Sequence, residues 1–252
     1  MGNLLKKKLE NKSNIIGPFM KLPSPAVVEI AALAGFDFVI IDCEHGPLNM
    51  LEAENMIRAA HLSNMSAVIR VGENNPNMIS RALDIGADAV QIPQISTKED
   101  AINAVKSSKF SPLGERGVCK YVRAAGYSSM DKSEYFKYAN ENTLVIIHIE
   151  GLEGIENLDQ ILEVEGIDVI FIGPYDLSQS LGIPGDVNNI KVEEKMREVV
   201  NKASAKGKIV GTFVDDIDSA NKWKSLGIQY MSYAVDVGII YDSFKNITKG
   251  FK

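Results

Sequence analysis

Cysteine and long apolar runs are both scarce in this chain of 252 residues. Its two cysteines, Cys43 and Cys119, are too few for a framework of several disulfides and lack the CxxC spacing of a metal-binding pair. This usage predicts a cytoplasmic protein with reduced thiols. No apolar stretch approaches the roughly 20 residues that a membrane-spanning helix needs, so a membrane is not an expected partner.

Positive charge is not in excess, because the formal net charge is −6. A nucleic-acid-binding protein favours a basic face, so nucleic acid is not expected as the main partner. The phosphate-binding patterns GxGxxG and GxxxxGKS/T follow none of the predicted strands, which disfavours a nucleotide-binding open sheet. Linker-like and low-complexity tracts are also missing. The sequence therefore predicts one domain over residues 1–252.

Short apolar runs alternate regularly with amphipathic segments along the whole chain. Eight such runs predict strands at residues 14–20, 38–42, 67–71, 89–93, 144–150, 168–173, 208–214 and 229–235. Helical patterns separate them, and a helical tail follows the last one. Because crossovers between parallel strands are right-handed, the series predicts a (β/α)₈ TIM barrel. The exception is an irregular segment at 110–130, whose length indicates a functional loop or a missed element.

Ionisable residues follow several of the predicted strands. Asp42, Glu44 and His45 end the second strand, and Arg70 ends the third. The fifth strand ends in His148 and Glu150, and Asp176 follows the sixth. Parallel barrels build their active sites from the C-terminal ends of several strands. The pattern therefore predicts an active site at that end.

The two carboxylates Glu150 and Asp176 are candidates for a metal site. His148 and Glu150 are two residues apart, so both should point into the barrel. A buried carboxylate must be protonated, paired or bound to a cation. Two carboxylates, completed by water and substrate oxygens, suit Mg²⁺ or Mn²⁺. The alternative is a salt bridge from Glu150 or Asp176 to Arg70.

Lysines give a negative argument about mechanism. An aldolase that forms a Schiff base needs a lysine that projects inward near the C-terminal end of a strand. Lys208 begins the seventh strand, and Lys21 and Lys120 are expected in loops. Electrophilic assistance is therefore expected from a metal.

Four segments resemble the HpcH/HpaI aldolase family of class II pyruvate aldolases. They are GFDFVIIDCEHGP, the VIRV strand with RALDIGA, GERGV, and IFIGPYDLSQSLGIPG. The resemblance covers nearly the whole chain in the correct order. It implies a metal-dependent cleavage of a 4-hydroxy-2-oxo acid into pyruvate and an aldehyde.

The same resemblance implies the catalytic residues. Glu150 and Asp176 would bind a divalent metal ion, Mg²⁺ or Mn²⁺, with Co²⁺ or Zn²⁺ as further candidates. His45, supported by Asp42, would transfer a proton. Arg70 would bind the keto oxygen of the pyruvate unit.

It also implies how the substrate is held. The backbone around Gly173 and Tyr175 would receive the carboxylate of the pyruvate unit, and Phe19 and Phe213 would line the aldehyde side. Family members commonly have Gln where this chain has His148, so His148 would contact the keto acid or join the metal shell. An acidic aldehyde would need another cation, for which the candidates are Arg116 and Arg123.

Two other functions stay open. A CoA-ester lyase of the citrate lyase β-subunit or malyl-CoA type resembles the family in fold and metal site. A non-catalytic barrel that binds a small acid is the third possibility. The apolar spacing in the tail at 237–251 predicts a helix that must be buried. The resemblance implies that subunits exchange this helix in a homo-oligomer, a trimer-based hexamer.

Overall fold

The computed structural model describes residues 3–252, and its eight parallel strands close into a barrel in sequence order. This confirms the predicted (β/α)₈ architecture. The strands are β1 (Ile15–Met20), β2 (Phe38–Asp42), β3 (Ser66–Arg70), β4 (Ala89–Ile92), β5 (Leu144–Ile149), β6 (Val169–Ile172), β7 (Ile209–Val214) and β8 (Tyr230–Val235).

Twelve α-helices surround and extend the barrel in the described residues. They are α1 (Leu4–Glu10), α2 (Pro25–Leu33), α3 (Met50–Leu62), α4 (Pro76–Asp84), α5 (Lys98–Ser108), α6 (Lys132–Asn142), α7 (Leu152–Glu156), α8 (Leu158–Ile161), α9 (Pro174–Ser180), α10 (Ile190–Ala205), α11 (Ile217–Ser225) and α12 (Asp236–Phe251). The segment predicted to be irregular, at 110–130, contains a 3₁₀ helix at Arg123–Ser128. Within residues 3–252, no helix has the length and apolarity required to cross a bilayer.

Alternation along each strand sorts side chains between the barrel interior and the surrounding helices. In β2, Phe38 and Ile40 belong to the interior cluster, whereas Val39 and Ile41 pack in the outer core beneath the helices. Because both faces are covered, all five residues of this strand are buried. Asp42 continues the interior series at the strand's last position. The same period places Arg70 and His148 in line with interior residues of β3 and β5.

Helix α1 closes the N-terminal end of the barrel and was not predicted from the sequence. Leu5 and Leu9 are one helical turn apart, are almost fully buried, and pack in the interior cluster with Ile15 and Phe38. Asn3 caps the helix by accepting a hydrogen bond from the N–H of Lys6 at 3.1 Å. The N-terminal end of the barrel interior is therefore filled, and its free space lies at the C-terminal ends of the strands.

The C-terminal helix α12 carries the predicted apolar stripe. Tyr241, Phe244, Ile247 and Phe251 are exposed on this chain, with exposed fractions from 60% to 92%. The prediction of a helical tail is confirmed.

Candidate active site

A cavity of about 420 Å³ opens at the C-terminal ends of the strands. All ten residues predicted for the site line this cavity: Phe19, Asp42, His45, Arg70, His148, Glu150, Gly173, Tyr175, Asp176 and Phe213. They come from six strands or from the residues that directly follow them. This is where parallel barrels carry their active sites.

Arg70 is held by two carboxylates from the end of β2. Its Nε and Nη2 atoms donate to Asp42 at 2.9 and 2.7 Å, and its Nη1 lies 3.0 Å from Glu44 Oε2. Asp42 is fully buried. Burial would raise the pKa of the Asp42 carboxyl, but the hydrogen bonds and charge of Arg70 outweigh it and the pKa is lowered. The alternative in which Arg70 pairs with Glu150 or Asp176 is therefore wrong.

His45 lies at the mouth of the cavity, with its side chain 58% exposed. The expected support from Asp42 reaches only the main chain, because Asp42 accepts from the backbone N–H of His45 at 3.2 Å. The carboxylate near the ring is Glu44, whose Oε2 lies 3.8 Å from His45 Nε2. Burial raises the pKa of Glu44 and the charge of Arg70 opposes that rise. Glu44 therefore lies between the guanidinium and the imidazole.

Two donors fix Glu150 just after β5. Its Oε1 accepts from the backbone N–H of Gln94 at 2.8 Å, and its Oε2 lies 3.0 Å from His148 Nδ1. Burial would raise the pKa of Glu150, whereas the interaction with His148 and the hydrogen bond from the Gln94 backbone lower it below its normal value. Each oxygen retains a further lone pair. The carboxylate is thus ionised, oriented and able to accept another ligand.

Gly173 is required by the position of Glu150. A Cβ atom at residue 173 would lie 2.8 Å from Glu150 Oε2 and 3.0 Å from its Cβ. No real side chain tolerates such an approach to a fixed carboxylate. The glycine in the GPYD motif therefore makes room for Glu150.

A buried polar chain orients His148. Tyr230 Oη donates to Gln91 Oε1 at 3.3 Å, and the Gln91 amide nitrogen contacts His148 Nε2. With that amide as the donor, Nε2 is an acceptor and Nδ1 carries the proton that faces Glu150. His148 also stacks on Phe171, with 4.5 Å between ring centroids. Both ring nitrogens are thus engaged by protein groups, and Gln91 is a site residue that the sequence analysis missed.

Glu150 and Asp176 fit a divalent cation. Asp176 is exposed to the cavity, and within residues 3–252 it has no hydrogen bond or ion pair. No group of three or more His, Cys, Asp or Glu side chains in that range is arranged as a metal cage. One fixed and one unpaired carboxylate suit Mg²⁺ or Mn²⁺, which take few protein oxygens and leave other positions to water or substrate.

Aromatic rings form the base and one wall of the cavity. The Phe213 ring lies 5.9 Å from the ring of Phe19 and 5.9 Å from that of Tyr175. Tyr175 Oη donates to Asp215 at 2.8 Å. Burial and this hydrogen bond raise the pKa of Tyr175 to about 12, so the phenol stays protonated. Asp215, like Gln91, was not predicted.

Lys21 lies in a loop as predicted, but the expected relation of three basic residues to the cavity was wrong. Lys21 directly follows β1 and its side chain lines the cavity, so a lysine does project near the end of a strand. Arg116 and Arg123 line a different cavity of about 390 Å³, near the N-terminal ends of β4 and β5. There Arg116 pairs with Asp84 at 2.6 Å. Within one chain, these two arginines do not line the cavity described above.

Comparison with known proteins identifies relatives of this chain. A profile of the HpcH/HpaI aldolase/citrate lyase family matches residues 16–243. A 5-keto-4-deoxy-D-glucarate aldolase of Escherichia coli O6:H1 is 34% identical over 250 residues, which are 99% of this chain and 97% of that protein.

Solved structures give the same result. An HpcH/HpaI aldolase/citrate lyase family protein of Burkholderia cenocepacia J2315 superposes with a TM-score of 0.94 at 31% identity, covering 99% of both chains. The citrate synthase SbnG superposes with a TM-score of 0.88 at 31% identity, covering 98% of this chain and 99% of that one.

Proposed function

The chain belongs to the HpcH/HpaI aldolase/citrate lyase family of carbon–carbon lyases, and from this premise we propose that it cleaves a 4-hydroxy-2-oxo acid into pyruvate and an aldehyde. The observation that carries the proposal is the convergence of ten residues on one cavity, which Arg70 lines together with the carboxylates Glu150 and Asp176. A cation and two carboxylates around one small space suit an oxo acid whose charge changes during reaction.

A divalent metal ion would be held by Glu150 and Asp176, with Mg²⁺ or Mn²⁺ favoured and Co²⁺ or Zn²⁺ as alternatives. When bound, it would supply Lewis-acid polarisation of the 2-oxo group. The hydrogen bonds from Gln94 and His148 keep Glu150 in one orientation for that role. In this proposal His148 orients Glu150 and does not contact the substrate directly.

Arg70 stabilises the pyruvate unit as its charge develops. When the bond between C3 and C4 breaks, its electron pair moves into the pyruvate unit as an enolate. A guanidinium already fixed by Asp42 does not have to reorganise at that moment. The main chain at Gly173 and Tyr175 receives the carboxylate of the same unit.

His45 accepts the proton of the C4 hydroxyl, directly or through water, as that carbon becomes the aldehyde. Its exposed ring can reach a group in the mouth of the cavity. The proton held by His45 is then returned, directly or through water, to C3 of the enolate, which becomes pyruvate. Phe19 and Phe213 line the side from which the aldehyde leaves.

The test is release of pyruvate from 4-hydroxy-2-oxo acids, read with a lactate dehydrogenase couple. We expect turnover with Mg²⁺ or Mn²⁺, loss of turnover after dialysis against EDTA, and recovery when metal is returned. Replacing His45 by Ala should lower kcat by about 10²–10⁴. Full activity in metal-free enzyme would contradict the metal dependence. A wild-type protein that binds oxo acids but turns none over would favour the non-catalytic barrel.

A second candidate is carbon–carbon bond chemistry on a CoA ester. It is favoured by the 31% identity to a protein described as a citrate synthase. The test is to offer acetyl-CoA with oxaloacetate, and malyl-CoA or citramalyl-CoA alone, and to follow free thiol and product mass. Turnover of these compounds faster than of 4-hydroxy-2-oxo acids would make this the main function.

We also propose a homo-oligomer in which α12 is buried against a neighbouring subunit, as a trimer-based hexamer. The exposed Tyr241, Phe244 and Ile247 on one face of that helix support the proposal, since a stripe of this kind is costly in water. Light scattering at micromolar concentration should give a mass several times the 27.6 kDa of one chain. A strictly monomeric mass would contradict it.

The cytoplasm stays the predicted location, supported by two cysteines that are both unpaired.

A further inference from the structure

We propose that Lys21 binds a carboxylate on the aldehyde half of the substrate, so that the enzyme prefers 4-hydroxy-2-oxo diacids. This inference rests on the proposed aldolase function and adds a residue that selects the second product. It follows from where Lys21 is anchored, which partners its ammonium has, and how charge is distributed around the cavity.

The main chain at Lys21 is fixed by Asp236, which is buried at the start of α12. The backbone N–H groups of Lys21 and Leu22 donate to the two Asp236 oxygens at 3.0 and 2.9 Å. The side chain of Lys21 then extends into the cavity and is 31% exposed. Its base is therefore held while its charged end can move within the cavity.

The ammonium of Lys21 has donors to spare. Its nearest carboxylate is Asp42, at 3.8 Å between Nζ and Oδ2, which is beyond hydrogen-bond distance. Asp42 already accepts hydrogen bonds from Arg70 and from the backbone N–H groups of Glu44 and His45. Within residues 3–252, Lys21 Nζ makes no hydrogen bond. By contrast, Arg70 is engaged by Asp42 and Glu44.

The charged side chains around the cavity leave one cationic group available to bind a second carboxylate of the substrate. Four carboxylates line the cavity, and its lysine and arginine side chains are Lys21 and Arg70. Glu150 and Asp176 follow β5 and β6, whereas Lys21 follows β1 on the opposite side of the closed barrel. An oxo acid bound by its keto end near Glu150 would therefore direct its far end towards the side of Lys21.

The E. coli relative supports this reading at the level of chemistry. Its named substrate, 5-keto-4-deoxy-D-glucarate, is a keto acid with a carboxylate at each end. One carboxylate would accompany the pyruvate unit. The other would remain on the aldehyde and, in the present chain, would need the cation that Lys21 provides.

The experiment compares two aldehydes of equal chain length that differ by a carboxylate, succinic semialdehyde and butanal. Each is condensed with pyruvate by the wild type, Lys21→Met, Lys21→Arg and a matched surface variant, Lys98→Met, with product read by mass. We expect Lys21→Met to lower kcat/KM for succinic semialdehyde relative to butanal by about 10- to 100-fold, mainly through KM, as for a lost hydrogen bond to a charged group. Lys21→Arg should retain most of the preference, and Lys98→Met all of it.

The outcomes separate the two levels of the argument. If wild-type protein condenses pyruvate with neither aldehyde, the proposed function itself fails. If it condenses both, but Lys21→Met keeps the wild-type ratio, only the assignment of Lys21 is overturned. The butanal reaction of Lys21→Met reports whether that variant is folded. Trapping of pyruvate on Lys21 by borohydride would also overturn the assignment, because it would show an imine-forming lysine.

Discussion

Asp42 and Arg70 are paired in the register of β2 and β3 and are joined by two hydrogen bonds of 2.9 and 2.7 Å. The cation of the site is therefore oriented by a neighbouring strand, independently of any ligand. Asp42 is fully buried and the Arg70 side chain is only 11% exposed. The pair serves both the fold and the chemistry, and substitutions should reveal both effects.

Replacing Arg70 by Ala should destabilise the protein, because it leaves Asp42 buried without its cation. The expected loss in the free energy of unfolding is about 3–5 kcal/mol. Urea denaturation measures it. Arg197→Ala is the matched control, since its ion pair with Glu193 is largely on the surface and should cost about 1 kcal/mol or less. An Arg70→Ala protein as stable as the control would contradict the structural role of the pair.

Low pH should lower the free energy of unfolding through the Asp42 carboxyl group. The pKa of Asp42 is lowered from its ordinary value of 3.8, so its contribution to stability is complete above that pH. The contribution is lost as the pH falls from 3.8 through the lowered pKa. In urea titrations below pH 4, the free energy of unfolding of Asp42→Asn should therefore fall less steeply than that of the wild type. Parallel slopes would show that Asp42 is not part of the acid response.

Substituting Gly173 by Ala should damage the site more than the fold. The added Cβ would lie 2.8 Å from Glu150 Oε2, so the carboxylate must move. Mn²⁺ affinity and kcat/KM should each fall by about 10- to 100-fold, as when supporting geometry around a metal is lost. At Gly151 the nearest atom to an added Cβ is 3.9 Å away, so Gly151→Ala should behave like the wild type. Equal effects of the two substitutions would contradict the steric argument.

Glu150→Gln should abolish metal binding while the protein stays folded. The amide oxygen can still accept the hydrogen from His148 or Gln94, so at most one hydrogen bond is lost. We expect a loss of more than about 100-fold in Mn²⁺ affinity by calorimetry, since outer-shell changes alone cost 10–100-fold. The Tm of the metal-free variant should stay within about 2–4 °C of the wild type. Stoichiometric Mn²⁺ binding by Glu150→Gln would show that another residue is the ligand.

The thiol of Cys43 should be unreactive despite its place beside the site. Burial, followed by the nearby charges of Asp42 and Glu52, raises its pKa to about 11. At pH 8 only roughly one molecule in a thousand carries the reactive thiolate. Iodoacetamide with mass spectrometry should therefore label the exposed Cys119 first and Cys43 only as the pH approaches 11. Cys119→Ser protein should remain almost unlabelled at pH 8.

The strands were predictable because a barrel strand is covered on both faces and is then an uninterrupted apolar run. The predicted 38–42 strand is β2 residue for residue, and the ends of the other strands differ by at most one position. Two helices were missed. The whole apolar face of α1 consists of Leu5 and Leu9, and α9 begins with Pro174 immediately after β6, where the sequence resembles a loop.

The location of the site residues was predictable from the sequence, but the partner that each side chain binds was not. Parallel strands bring their last residues to one end, so Arg70, Glu150 and Asp176 could be placed in one cavity from the sequence. Which carboxylate Arg70 binds depends on strand register, and that register places it opposite Asp42. Gln91 and Lys21 were missed for the same reason. Each is an ordinary polar residue in sequence, and only its direction in the closed barrel gives it a role.

The plug formed by Leu5 and Leu9 has a kinetic consequence. Because the N-terminal end of the barrel is closed, the reactant and both products must pass through the opening at the C-terminal ends of the strands. In the proposed reaction the pyruvate unit lies beside Arg70, whose side chain is 11% exposed, and the aldehyde lies nearer the mouth, where the His45 side chain is 58% exposed. The aldehyde must then depart before pyruvate. Release is ordered, and pyruvate is the product that competes with the oxo acid for free enzyme.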